Sequence, residues 1–264
     1  QRQMCIRDSI DLVSPDTFLT PDCGKTSASR QTYVTGKAAY NAGLKLRAEI
    51  LRLSNMGNDS LITIEKNEII ISNQGKRQKI DLSALQLIEN NYVIVAEETY
   101  DPPTTSLDEN GQGIPYAVYG YGAQMAEITV DTELGLLKID KITAAHDLGK
   151  TINPLLAEGQ IEGGIAQGIG FALMEEYIPS KTENLHDYLI PSIGDVPEIE
   201  SILIEKNDPE GPFGARGLGE HVLIPTAPAI MNALRNATGA IITKLPALPA
   251  VSYTHLTLPT NSSV

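Results

Sequence analysis

Cysteine and positive charge are both scarce in this 264-residue chain. Its two cysteines, Cys5 and Cys23, are too few for a disulfide framework and lack the closely spaced partners of a zinc site. No residue of the chain is expected to ligate a metal directly, so any metal must arrive inside a cofactor. Lys and Arg number 20 against 33 Asp and Glu, a formal net charge of -13. With no basic stripe to neutralise phosphates, a nucleic-acid partner is disfavoured and a small or aromatic substrate favoured. No stretch approaches the roughly 18 apolar residues of a membrane span, and no charged start followed by an apolar centre marks a secretory leader. No membrane partner and a cytoplasmic setting are the expectations. Repeats of solenoid period and low-complexity tracts are also missing.

What is present is enough apolar sequence for one large domain or two modest ones. Both ends, residues 1–9 and 251–264, resemble translated sequencing-adapter tails and are expected to be non-native, which removes Cys5 and His255 from the chemistry. Residues 10–250 then read as an internal piece of a longer protein. A first unit, 10–110, opens with a polar loop and turns into a helix from Tyr33 to about Leu53. Ala38, Ala39, Ala42, Leu46, Ile50 and Leu53 fall near helical spacing and predict a buried face. Two short strands follow, 62–65 and 68–71, around a Lys66-Asn67 turn. A short helix over 81–90, a strand over 93–97 and a Pro-rich linker over 101–115 complete the unit.

The second unit, 111–250, starts with strand-like 116–130 and forms a hairpin through 131–135 into 137–142. After Asn153-Pro154 comes a helix rich in glycine. Each such glycine costs about 1 kcal/mol relative to alanine, so close packing against backbone or cofactor must compensate. Strands are predicted at 201–205 and 241–245, and a capped helix from Pro225-Thr226 is closed by Gly239. The expected fold class is α+β, two layered units with mostly antiparallel sheets rather than a doubly wound sheet.

Three loops could hold chemistry. In Gly217-Leu218-Gly219-Glu220 a carboxylate sits on a glycine-rich turn just before a helix, a placement suited to a reactive base, although a solvated surface glutamate has the same signature. Thr26-Ser27-Ala28-Ser29-Arg30-Gln31 offers hydroxyls and backbone N–H groups to an anion at a helix start, where an ordinary capping loop is the alternative. Gly24-Lys25-Thr26 mimics the end of a P-loop, but the required upstream glycine would fall at Leu19. Gln160 could bond a ligand, or simply pair with backbone. His146, His186 and His221 lack ligand spacing and read as structural or exposed. The pairs Glu97-Glu98 and Glu175-Glu176 point to different faces and read as solvated charges rather than a dyad.

Taken in order, 26–31, Tyr119 to Glu127, Asn153-Pro154 through Gly159-Gln160-Ile161-Glu162-Gly163-Gly164 with Gln167-Gly168, and Gly217 to Glu220 followed by Ile224 to Ala229 resemble one family. It is the molybdenum hydroxylases, the xanthine dehydrogenase and aldehyde oxidoreductase group. The match falls in the C-terminal half of the molybdopterin-binding subunit, and Asn184 to Pro191 is most similar to bacterial xanthine dehydrogenases. The resemblance implies the molybdopterin-binding fold of that type and oxidative hydroxylation of a purine or other N-heterocycle, with water as oxygen source. It makes Glu220 the general base, which takes the proton from the Mo-OH group while hydride passes to Mo=S. It further implies that Gln160 and Gly219, with Thr26, Ser27, Ala28, Ser29, Arg30 and Gln31, bind a molybdopterin in its cytosine dinucleotide form.

Iron-sulfur clusters and FAD are implied on partner subunits or missing domains, with the N-terminal half of the same subunit as a further partner. Aldehyde oxidation, carbon monoxide oxidation and a non-catalytic cofactor-binding relative are the alternatives. One departure stands out: His221 follows the base where many relatives have proline.

Overall fold

The computed structural model describes residues 10–14, 16–88, 91–249 and 252–253. Almost all of both tails, including Cys5 and His255, lies outside these residues. Helix α1 (Arg30–Ser54) leads into strands β1 (Leu61–Glu65), β2 (Glu68–Asn73) and β3 (Lys76–Asp81), which form a three-stranded antiparallel sheet in that order. Strand β4 (Tyr121–Asp131) pairs antiparallel with β5 (Leu136–Asp147), and β6 (Glu198–Ile204) adds to β5 in parallel. Helices α2 (Pro154–Leu173) and α3 (Thr226–Thr238) complete the second layer. The fold is therefore α+β, with three of its four strand pairings antiparallel.

Local chemistry explains the second-layer helices. Asn153 caps α2 by accepting a hydrogen bond from the Leu156 N–H, and Pro154 occupies the first turn, where its missing N–H costs nothing. Gly239, at φ 77°, ends α3 in the left-handed conformation expected of a glycine stop. Packed between α2, α3 and β5 is the larger core, built on Ile139, Ile142, Ile161, Ile165, Ile169 and Ile230. The smaller core joins Ile50 and Leu51 of α1 to Ile69 and Ile71 of β2.

Several expectations are corrected. On α1 only Ile50 of the proposed apolar face is buried, and Leu46 and Leu53 are exposed, because the β1–β3 sheet meets α1 chiefly at its C-terminal end. Residues 82–84 form a single 3-10 turn and 85–88 no helix, the remaining two residues of that prediction lying outside the described ones. The 93–97 segment is not a strand. It lies along α1, tied by Lys45 Nζ to the Glu97 carbonyl and the Glu98 carboxylate. Nor is 241–245 a strand: Leu245 packs as irregular chain against the larger core, and Ala247 N donates to Ala172 O. Strand β3, Lys76-Arg77-Gln78-Lys79-Ile80-Asp81, carries no apolar alternation and went unpredicted.

Candidate functional site

The three loops singled out in the sequence meet at one place. Oε1 of Glu220 accepts a hydrogen bond from the Ala28 N–H at 2.9 Å, and the Glu220 N–H donates to Ser29 Oγ at 2.8 Å. Gln160 Nε2 donates to the Gly219 carbonyl at 3.4 Å. Close approach is possible because residue 217 is glycine: a Cβ there would stand 1.9 Å from the Ser29 carbonyl oxygen. Ala28 and Ser29 both adopt φ 54°, a conformation non-glycine residues rarely hold and one that concentrates at functional sites.

Other residues of the first loop serve the loop itself. The Arg30 guanidinium donates to the Cys23 and Lys25 carbonyls. The Gln31 amide reaches Lys25 O and Thr26 Oγ1, while its Oε1 accepts from Thr35. Ser27 O accepts from the Arg30 N–H, closing the turn into α1.

Alongside runs a cleft of about 330 Å³ walled by Ala28, Ser29, Tyr116, Tyr119, Arg216 and Glu220, among others. A second hollow, bordered by Lys25, Ser27 and Arg30, shares Ala28, Tyr116 and Val118 with it. Glu220 is exposed, and its Oε1 holds the Ala28 N–H.

Behind the cleft stands a set of residues that sequence patterns did not reveal. Arg216 donates to Asp147 at 2.8 Å and to Asp208 at 3.0 Å, with all three side chains only 10–12% exposed. The Asp147 and Asp208 carboxylates also accept backbone N–H groups of Gly149 and Gly211, and the Arg216 N–H donates to Leu148 O. This network anchors one end of the Gly217–Glu220 turn. Nothing in sequence spacing joins positions 147, 208 and 216.

The histidines divide. His186 is exposed, whereas His146 is fully buried and His221 half-buried, their rings stacked with centroids 5.1 Å apart. Burial, and then His221, pushes the His146 imidazole down to about 4, and burial also lowers His221 against an opposing pull from Asp147. No cluster of three His, Cys, Asp or Glu among the described residues could hold a metal ion.

Helix α2 answers the question its glycines raised. A Cβ at Gly164 would meet Val222 at 2.3 Å and one at Gly168 would meet Thr226 at 2.4 Å, so α2 packs directly on the base turn and the start of α3. Gly159 and Gly163 instead face open space beside Gln160.

The residues at the cleft fit an anionic cofactor. The α1 N-terminus has no side-chain cap and no acidic residue in its first turn, the hydroxyls of Ser29, Tyr116 and Tyr119 line the cleft, and the Gln160 amide stands at the Gly219 carbonyl beside it.

Comparison with known proteins agrees. The family model described as molybdopterin cofactor-binding domain matches residues 4–197. The chain is 34% identical over 252 residues to the xanthine dehydrogenase molybdenum-binding subunit of Escherichia coli O157:H7, covering 90% of this chain and 32% of that protein. It is 33% identical over 248 residues to the aldehyde oxidoreductase of Megalodesulfovibrio gigas, covering 92% and 24%. The solved aldehyde oxidoreductase from Desulfovibrio gigas superposes with a TM-score of 0.72 at 30% identity, over 95% of this chain and 26% of that one. The chain thus spans about a third or less of the relatives' length, and it belongs to the molybdopterin cofactor-binding domain family.

Proposed function

We propose that this chain is the C-terminal part of the molybdenum-binding subunit of a molybdenum hydroxylase that oxidises a purine or other N-heterocycle. The observation that carries the reading is the Glu220 carboxylate, fixed by the Ala28 N–H at the edge of the cleft and, among the described residues, the only carboxylate on its wall. The bound cofactor supplies the two-electron redox chemistry and the site where water enters. The protein's part is to hold it and to move a proton. Glu220 accepts that proton, and Ser29, through the Glu220 N–H, keeps the carboxylate aimed.

Ala28 and Ser29 present backbone and hydroxyl groups to the pterin, Gln160 its amide, and the loop from Thr26 through Gln31 the start of α1 to the phosphates of a cytosine dinucleotide. Gly219, whose carbonyl accepts from the Gln160 amide, binds the cofactor with them. Electrons leave to iron-sulfur and FAD partners, and the N-terminal half of the same subunit supplies the opposite wall.

Aldehyde oxidation is the second reading, favoured by the 33% identity to an aldehyde oxidoreductase. A turnover panel of xanthine, hypoxanthine and aldehydes on the full-length holoenzyme, with molybdenum and nucleotide analysis, separates the two. Glu220→Gln in that enzyme is expected to lower kcat by about 10²–10⁴-fold while molybdenum content is unchanged. Turnover within about tenfold of wild type would remove Glu220 from the role of base.

A further inference from the structure

We propose that Gln124 is the positioning residue of the Glu220 turn, acting with the His146–His221 stack as a polar clasp that holds the turn from behind. The inference rests on Glu220 being the base. Gln124 lies on β4, and its side chain reaches three places at once. Its Oε1 accepts from Thr226 Oγ1 at 2.8 Å, its Nε2 donates to the Val222 carbonyl at 2.7 Å, and the same Nε2 stands 3.2 Å from His146 Nε2. Val222 is two residues past Glu220, and Thr226 is the first residue of α3, so one amide fixes both ends of the segment that follows the base.

The protons in this cluster can be assigned. The amide nitrogen can only donate, so His146 Nε2 must accept and the imidazole proton sits on Nδ1. That Nδ1 has no partner among the described residues, and neither has His221 Nε2. Two orphaned ring nitrogens in a buried stack are costly unless something fixed requires the rings there. The requirement is visible on β4 and at the residue just before it. A Cβ at Gly122 would lie 2.3 Å from His146 Nδ1 and one at Gly120 1.9 Å from His221 Nδ1, so these glycines make room for the two rings against the strand.

His221 directly follows Glu220, and its ring is pressed between this glycine edge and His146, which prevents the peptide from rotating. Gln124 in turn sets the plane of His146. The groups facing the clasp are His146 and Asp147 from β5, His221 from the turn and Thr226 from α3. A carbonyl, a hydroxyl and an imidazole all read the amide's orientation, whereas an apolar side chain of equal size would fill the space and read none of it.

The test uses Gln124→Met and Gln124→Glu in the full-length holoenzyme, with Glu220→Gln beside them. Kinetics over pH 5.5–8.5 is paired with amide hydrogen exchange of the segment 217–226 in cofactor-free protein. Gln124→Met is expected to lower kcat about 10–100-fold with KM within threefold, and to speed exchange of 217–226 at least tenfold while α2 is unchanged. Gln124→Glu retains the acceptor for Thr226 but loses its donor when ionised, and recovers one O–H donor when protonated. Its kcat relative to wild type should therefore rise as pH falls.

The clasp is overturned by Gln124→Met turnover within threefold of wild type, by unchanged exchange over 217–226, or by a flat pH ratio for Gln124→Glu. Because Gln124→Glu is isosteric, it decides the matter even where Gln124→Met fails to fold. Survival of turnover in Glu220→Gln would sink the base assignment alone, leaving the exchange data to judge the clasp.

Discussion

The Glu220 turn rests on a core of ten buried residues drawn from β5, α2, α3 and the turn itself, whereas the Ala28–Ser29 loop begins a 25-residue helix whose own core has four. One lip of the cleft is thus bolted to a platform through Arg216, Gln124 and the glycine face of α2. The other is held to it by the Ala28 and Ser29 hydrogen bonds and by its own turn. The division suits the proposed chemistry. A base must stand within tenths of an ångström of its proton, while a loop that receives a large cofactor must adjust around it. The comparison predicts that damage behind Glu220 is severe and that damage on the β1–β3 sheet is slight.

The largest expected effect is at the bolt. Arg216→Met leaves Asp147 and Asp208 as buried carboxylates without their cation, and breaking such a pair from one side costs roughly 3–5 kcal/mol. The loss is read as a drop in the denaturant midpoint at unchanged slope, and it should carry with it the activity of the full-length enzyme. A variant that keeps wild-type stability would show that the turn does not depend on this network, and the contrast between the two lips would fail.

Acidification probes the same lip more gently. His146 is neutral when folded, with its pKa depressed to about 4 from an unfolded value near 6.5. Between those values the unfolded chain binds more protons, so stability is lost as pH falls from about 6.5 towards 4, and His146 adds no slope above 6.5. The loss is at most about 3 kcal/mol, and His221, lowered in the same direction, adds to it. Carboxylates contribute a slope of their own, so the informative quantity is a difference. Thermal midpoints of wild type and His146→Phe from pH 7.5 to 4.5 should diverge on the acid side, with the variant the less pH-dependent. Parallel curves would mean that the buried imidazole does not titrate with unfolding.

How much of this was legible in the sequence follows from the range of each interaction. The Asn153-Pro154 helix start, the Gly239 stop and the hairpins around Lys66-Asn67 and Gly135 are local signals and stand where they were read. The Gly217–Glu220 turn, Gln160 and the 26–31 loop were each recognisable, and their meeting at one cleft was implied only by their joint order. Missed were residues whose partners are remote. Gln124 reaches Val222 and Thr226 across about a hundred positions, and Arg216 reaches Asp147 across 69. The failed strands, 93–97 and 241–245, have apolar composition but pair with no strand among the described residues, and composition cannot say whether an edge is available.

The smallest effect belongs to the first sheet and tests the other half of the comparison. Lys79 on β3 pairs with Glu68 on β2 at 2.5 Å, with both side chains about half exposed. The register places Lys79 opposite Ile70 and Glu68 opposite Asp81, so the ion pair is diagonal, and Lys79 also screens Glu68 from the acidic Asp81 beside it. Solvent and salt leave such a pair worth about 0–1 kcal/mol. Lys79→Ala should therefore shift stability by less than about 1 kcal/mol, more at low ionic strength than at high. It should leave kcat and KM of the full-length enzyme unchanged, because among the described residues no hydrogen bond or ion pair joins this sheet to the cleft. A kinetic defect from so remote a substitution would mean that the β1–β3 sheet steers the 26–31 loop through α1, and both lips would then have to be regarded as mechanically coupled.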